Sequence, residues 1–247
     1  MKLLNKKYQI IDFYDKSNPP VKLMFQEIHD YLLLKLLGKG TFGEVHLAES
    51  VDKDQYALKI ISVTKEEKAE AKKEAQMYVS FEHPNIVKAR EFFFFQKEQY
   101  LIIVLEYCPN GSLLNSIGKI DQGKCNEIMK QVVEGLVYLH DDKKTIHRDI
   151  KLENILMSNG IPKIADLGIA KAMKTEGLKT KIGTIFYASP EVLNEENYDF
   201  SADIWSLGIV FLELLLGKRI TDLVKGMNPP ALRKDFPSDE LLDQIKN

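Results

Sequence analysis

The chain has 247 residues, 34 of them Lys or Arg and 36 Asp or Glu, for a formal net charge of −2; that length holds one large domain or two small lobes burying about 70% of the unfolded surface, and the charge balance lacks the basic excess of a dedicated nucleic-acid binder. Two cysteines, Cys108 and Cys125, exclude a disulfide framework and a four-ligand zinc site, so an intracellular, cytoplasmic setting is expected. Neither a secretory signal nor a membrane span is expected: no apolar run near the start ends in a small-residue cleavage site, and the longest apolar stretch, residues 204–216, carries Ser206 and Glu213 and falls short of the ~20 residues that cross a bilayer.

Residues 1–30 are mixed in character and broken by Asn18-Pro19-Pro20, which predicts an extension packed on or beside the main domain. From residue 31 to 61 the pattern turns strand-like. Val45 and Leu47, then Tyr56, Leu58 and Ile60, alternate with polar neighbours across a turn at 52–54, giving a strand, a hairpin and another strand. Residues 65–79 are rich in Glu, Lys and Ala and free of Gly and Pro, which predicts a helix. Glu66, Glu70 and Glu74 would form an acidic stripe on it; like charges at that spacing cost a few tenths of a kcal/mol per pair, so a cation is expected to face them. Runs at 90–95 and 100–107 are aromatic and branched, bounded by Gln96-Lys97-Glu98 and Pro109-Asn110-Gly111, and predict two further strands. After Gly111 the character becomes helical, notably over 127–140, where Ile128, Val132, Leu136 and Leu139 recur near helical spacing. An α+β architecture follows, with an extension at 1–30, a β-rich lobe at 31–107, a connector at 108–111 and a mainly helical lobe at 112–247.

Gly38, Gly40 and Gly43 lie in GKGTFGEV, a pattern that any tight turn can use. A strand rather than a helix is predicted after it, and no Gly-Lys-Ser/Thr closes it, so it is neither a dinucleotide fingerprint nor a Walker loop. Further along stand Ala57-Leu58-Lys59, HRDIKLEN from His147 to Asn154, Asp166-Leu167-Gly168, Ser189-Pro190-Glu191 and Asp203-Ile204-Trp205-Ser206-Leu207-Gly208. In this order and spacing the chain resembles the eukaryotic-type protein kinase family, serine/threonine class, over roughly residues 31 to 247.

The resemblance implies a two-lobed fold with one helix in the small lobe, and transfer of the ATP γ-phosphate to protein Ser or Thr hydroxyls with ATP and Mg²⁺ as cofactors. Asp149 then corresponds to the catalytic base, Lys151 to the residue that holds the terminal phosphate, and Asn154 and Asp166 to the metal ligands. Lys59 corresponds to the lysine that neutralises the inner phosphates, and Glu74, nine residues before His83 of HPNIV, to its carboxylate partner. Gly38, Gly40 and Gly43 would cover the phosphates. Val45, Ala57 and Leu156 would enclose adenine, with Leu105 at the back of the pocket, while Glu106 and Cys108 offer it backbone hydrogen bonds. His147 is expected to be a packed structural histidine, and Asp203 to anchor the catalytic loop. Lys151 and Gly183-Thr184 favour serine/threonine over tyrosine transfer, and Glu153 is placed to attract a basic substrate residue.

The stretch from Asp166 to Glu191 resembles an activation segment. Thr184 matches a structural threonine, and Thr180 matches a phosphosite for an upstream kinase or for autophosphorylation, with Arg148 at hand to receive the charge. Two departures stand out: Leu167 replaces the usual Phe, and no arginine follows Asn247 to pair with Glu191, so the C-terminal helices are expected to be truncated. These keep open the alternative of a catalytically weak or inactive kinase-like scaffold, whereas Lys59, Glu74, Asp149, Asn154 and Asp166 together favour the enzyme.

Overall fold

The computed structural model describes residues 11–12, 22–23, 27–40, 43–167, 184–193 and 199–223. Strands β1 (Ile11–Asp12) and β2 (Lys22–Leu23) pair with each other as a small antiparallel ribbon. Strands β3 (Glu27–Ile28), β4 (Tyr31–Gly40), β5 (Gly43–Ser50), β6 (Gln55–Ser62), β7 (Ala89–Phe95) and β8 (Tyr100–Glu106) form one antiparallel sheet in the order β3-β4-β5-β6-β8-β7. With the helix α1 (Lys68–Val79) they fall in a unit comprising Met1–Ser80 and Ala89–Tyr107. A second unit comprises Phe81–Lys88 and Cys108–Asn247. The architecture is α+β, β-rich in the first unit and helical in the second.

Side chains alternate across a strand, so the register assigns each residue of the sheet to a face. Leu58 and Ile60 join Ile28, Tyr31, Leu33, Ala48, Ile102 and Val104 in one apolar layer. The opposite face carries Val45 across from Lys59 and Lys59 across from Ile103, then Leu47 across from Ala57 and Ala57 across from Leu105. The four consecutive phenylalanines of β7 serve both faces: Phe93 and Phe95 pack on the first layer, while Phe92 and Phe94 lie across from Ile103 and Leu101.

Helix α1 begins at Lys68, three residues later than the composition predicts. Thr64 and Glu67 exchange reciprocal bonds, Thr64 N to Glu67 Oε2 at 2.9 Å and Glu67 N to Thr64 Oγ1 at 3.3 Å, the capping-box pattern that prepares a helix start. Glu66 therefore precedes the helix, and the acidic stripe reduces to Glu70 and Glu74. Ala71, Ala75 and Tyr78 form the buried stripe of α1, while Lys68 at its start pairs with Glu98.

In the second unit α2 (Gln122–Val137) starts five residues before the periodicity shows, because Asp121 caps it by accepting from Lys124 N at 2.7 Å. Gly123 in the first turn hides that start from a propensity reading. Its buried stripe includes Ile128, Val132 and Leu136, and the helix passes into a wider turn at Tyr138–Asp142. Gly135 is needed for close approach: a Cβ there would stand 3.0 Å from the Asn85 carbonyl oxygen. Asn85 and its neighbours belong with this unit because Ile164 N donates to Asn85 O at 2.8 Å and Val87 N to Ile164 O at 2.9 Å. Strands β9 (Ile155–Ser158) and β10 (Ile161–Ile164) form a hairpin through Asn159-Gly160, both with positive φ as a tight two-residue turn requires. The short helix α3 (Pro190–Leu193), the apolar α4 (Ser201–Leu216), ended by Gly217 at φ 62°, and α5 (Ile220–Leu223) complete the described residues. No helix among them is long and apolar enough to cross a membrane. The expectation of truncated C-terminal helices falls on residues 224–247, outside the described ones.

Candidate active site

Two groups of predicted residues are assembled, one in each unit. In the first, Gly40 pairs with Gly43, Lys39 with Glu44 and Gly38 with Val45, so the three glycines lie on a hairpin whose tip, residues 41–42, is outside the described positions. Lys39 Nζ stands 3.1 Å from Glu44 Oε1 across it. Gly43 has φ 148°, and a Cβ there would meet Ile60 O at 1.9 Å, so a side chain would force the sheet to shift. Lys59 is only 8% exposed and shares its sheet face with Val45, Ala57 and Leu105. A buried ammonium must be paired with negative charge. Glu74 lies on α1 of the same unit, half-buried, and Glu106 closes β8 opposite Tyr56.

In the second unit the loop of residues 147–154 is organised around one carboxylate. Asp203, in the first turn of α4, accepts from His147 N at 2.7 Å, Arg148 N at 2.8 Å and His140 Nε2 at 2.8 Å. Burial pushes its pKa up, but the His140 bond, the nearby His147 and the two backbone donors outweigh it, and Asp203 is held below the usual carboxylate range. Two of these bonds hold the backbone around Arg148, whose φ of 68° is an unfavourable conformation for a side-chain-bearing residue.

His147 is fully buried; its Nδ1 accepts from Asp149 N at 3.2 Å, so Nε2 carries the proton it gives to Ala165 O at 2.8 Å. It is a brace, with both ring nitrogens engaged by backbone groups. Asp149 is 8% exposed, and its Oδ2 receives Lys151 Nζ at 2.9 Å and Asn154 Nδ2 at 3.0 Å. Asn154 Nδ2 also donates to Asp149 O at 2.8 Å.

Ala165 N donates to Asn154 O at 2.8 Å, which brings Asp166, at φ 63°, into the neighbourhood of Asn154. With the Asn154 amide nitrogen engaged by Asp149, its carbonyl oxygen is the atom it can offer a cation. Together with the Asp166 carboxylate it would make a hard, two-residue oxygen set of the kind Mg²⁺ uses when substrate phosphates complete its shell. Among the described residues there is no cluster of three His, Cys, Asp or Glu for a metal, which a shell of this composition does not require. Leu167 is buried, an apolar packing residue in the place of the family's Phe. Leu156, on β9, bridges to Ser112, and Cys108 is buried with a reduced thiol.

Thr180 and Gly183 lie outside the described residues, as does the side chain of Thr184, which opens a 3₁₀ turn at Thr184–Tyr187. Sequence reasoning missed how that turn is held. Tyr187 donates its hydroxyl to Glu213 Oε2 at 2.6 Å, and its carbonyl accepts from Ser206 Oγ at 2.7 Å. Glu213 also takes Ile220 N at 2.8 Å and Arg219 Nε at 3.3 Å. The signal was available: a charged residue inside the apolar run 204–216 must be paired when buried. Glu191 receives a bond from Ser201 Oγ at 3.4 Å.

The family model described as protein kinase domain matches residues 31–234. A probable cell cycle serine/threonine-protein kinase, a CDC5 homolog of Encephalitozoon cuniculi, is 36% identical over 212 residues, 79% of this chain and 44% of that protein. Serine/threonine-protein kinase ppk11 of Schizosaccharomyces pombe is 34% identical over 241 residues, covering 90% of this chain and 76% of the relative. The cds1 serine/threonine-protein kinase of the same yeast is 39% identical over 248 residues, 87% of this chain and 53% of the relative. The chain thus spans about half the length of two of these three relatives and three quarters of the other.

Proposed function

The chain belongs to the protein kinase family, and on that premise we propose that it transfers the γ-phosphate of ATP to serine or threonine hydroxyls of proteins. The observation that carries this reading is the Asp149 carboxylate, held by Lys151 and Asn154 in a loop whose backbone is fixed by Asp203. Asp149 orients the incoming hydroxyl and accepts its proton as the new phosphorus–oxygen bond forms; the leaving ADP oxygen takes the bonding pair of the broken one. Lys151 neutralises the phosphate in flight. Lys59, directed by Glu74, neutralises the inner phosphates, and the hairpin of Gly38, Gly40 and Gly43 lets backbone approach them. By the resemblance, Val45, Ala57 and Leu156 are the apolar residues that would contact adenine, and Glu106 and Cys108 those whose backbones would bond it. Asn154 and Asp166 would hold Mg²⁺, which when bound neutralises charge on the β and γ oxygens.

Residues 31–107 serve in this reading as the nucleotide lobe, 108–111 as the hinge, 112–247 as the substrate lobe and 1–30 as an extension. Thr180 is the site where phosphate from an upstream kinase or from the chain itself would engage Arg148 and order the segment; full activity of Thr180→Ala, with no phosphate at Thr180 in active protein, would remove this step. Two buried free cysteines suit a reducing cytoplasm.

The test is transfer of radiolabelled phosphate from ATP to a generic protein substrate, with and without Mg²⁺, beside Lys59→Met and Asp149→Asn. Magnesium-dependent transfer abolished in both variants is the expected result. A well-folded chain, treated beforehand with an activating kinase, that transfers nothing would point instead to a kinase-shaped binding module.

A further inference from the structure

Arg219 follows α4, and its guanidinium is shared by two carboxylates: Nη2 donates to Glu153 Oε1 at 2.8 Å and Nε to Glu213 Oε1 at 3.3 Å. The two acids differ. Glu213 is wholly buried, and both its oxygens are engaged, by Tyr187 and by Ile220 N as well as by Arg219. Glu153 belongs to the catalytic loop, its side chain is 37% exposed, and its Oε2 has no hydrogen-bond partner among the described residues. The Arg219 side chain is itself 22% exposed, so this ion pair reaches the surface.

Glu153 lies four positions after Asp149, a span of at most about 14 Å. A peptide whose hydroxyl is presented to Asp149 therefore passes within a few residues of Glu153. Two converging carboxylates in that position make a seat for a guanidinium or ammonium, because neither acid can stay ionised cheaply beside the other without a cation. Here the cation comes from the chain itself. An intramolecular group is present at an effective concentration that a substrate side chain must exceed to displace it, and Arg219 engages both acids at once.

We propose that Arg219 is a specificity-determining residue, a built-in stand-in for a substrate cation that fills the Glu153–Glu213 acid pair beside the catalytic loop. Basic substrate residues are thereby denied the seat, and Glu153, which the sequence offered as an attractor for them, is satisfied internally. The proposal rests on the kinase reading above for its substrate, not for the pocket itself.

The test compares Ser/Thr peptides carrying Arg, or its neutral isostere citrulline, at each position around the acceptor. The wild-type chain should show no position at which Arg is preferred by more than about twofold. Arg219→Ala should acquire one such position, with KM for the Arg peptide lowered about tenfold and kcat little changed, and Glu153→Gln added to it should abolish the gain. Glu153→Gln alone should leave the Arg-to-citrulline ratio of the wild type unchanged. An Arg preference already present in the wild type and lost in Glu153→Gln overturns the proposal, as does a folded Arg219→Ala with the wild-type profile. If Arg219→Ala does not fold, the single Glu153→Gln comparison decides. If no variant transfers phosphate, the kinase reading fails separately, and fluorescence anisotropy of the same labelled peptides reads the pocket: about tenfold tighter binding of Arg over citrulline peptide to Arg219→Ala alone supports it, equal affinities overturn it.

Discussion

The sheet face that carries Lys59 and the loop that carries Asp149 reach the same end, a charged side chain held nine-tenths out of water, by different means. In the sheet, placement is a consequence of register: Val45, Lys59 and Ile103 face one way because β5, β6 and β8 pair in that alignment. In the loop, placement comes from side chains bonded to backbone, converging on Asp203, His147 and Asn154. A site built on register distributes its support over many ladder bonds and should absorb local damage. A site built on a few buried polar groups should fail when one is removed.

The largest expected effect is therefore at Asp203. Asp203→Ala leaves the backbone donors of His147, buried, and Arg148, part-buried, without their acceptor, and should cost about 3–5 kcal/mol, which lowers Tm by about 10 °C in thermal denaturation. A variant melting with the wild type would break the contrast. The sheet's nearest counterpart is Gly43→Ala, where the added methyl meets Ile60 O; a cost of about 1–3 kcal/mol is expected, with Asp149-dependent chemistry affected only through nucleotide affinity.

A subtler effect distinguishes two acids of α4. Asp203 has its pKa lowered on folding, so the stability it adds is full above the ordinary carboxylate range and is lost as pH falls through its depressed folded value. Glu213 is raised, first by burial, against the bonds from Tyr187 and Ile220 N and the charge of Arg219. Its contribution has the opposite sign, complete at low pH and lost as pH rises through the raised folded value. Melting curves between pH 3 and 7 should then show the Tm gap between wild type and Asp203→Asn narrowing below about pH 4. For Glu213→Gln the balance should shift in the variant's favour as pH rises. The smallest effect is at the exposed Lys53–Glu49 pair, where Lys53→Ala should change stability by less than about 0.5 kcal/mol.

The same contrast explains what the sequence disclosed. Alternation at Val45, Leu47, Tyr56, Leu58 and Ile60 was enough to find the strands, although both faces of β6 prove to be buried. The face shared by Val45, Ala57 and Lys59 follows from that once the register is known. The loop showed no periodicity and was legible only as the string HRDIKLEN through its resemblance. Its physical basis, the convergence on Asp203 from 55 to 63 positions away in the chain, is a long-range arrangement that no local pattern encodes. The start of α2 was hidden by Gly123, and the Tyr187–Glu213–Arg219–Glu153 cluster joins residues up to 66 positions apart.

The most direct measurement is of Asp149→Asn in two assays on the same preparation: affinity for ATP with Mg²⁺, and transfer to a protein substrate. The two-part account predicts nucleotide affinity within about twofold of wild type and transfer reduced by about 10² to 10⁴-fold. Transfer at the wild-type rate by Asp149→Asn would contradict it.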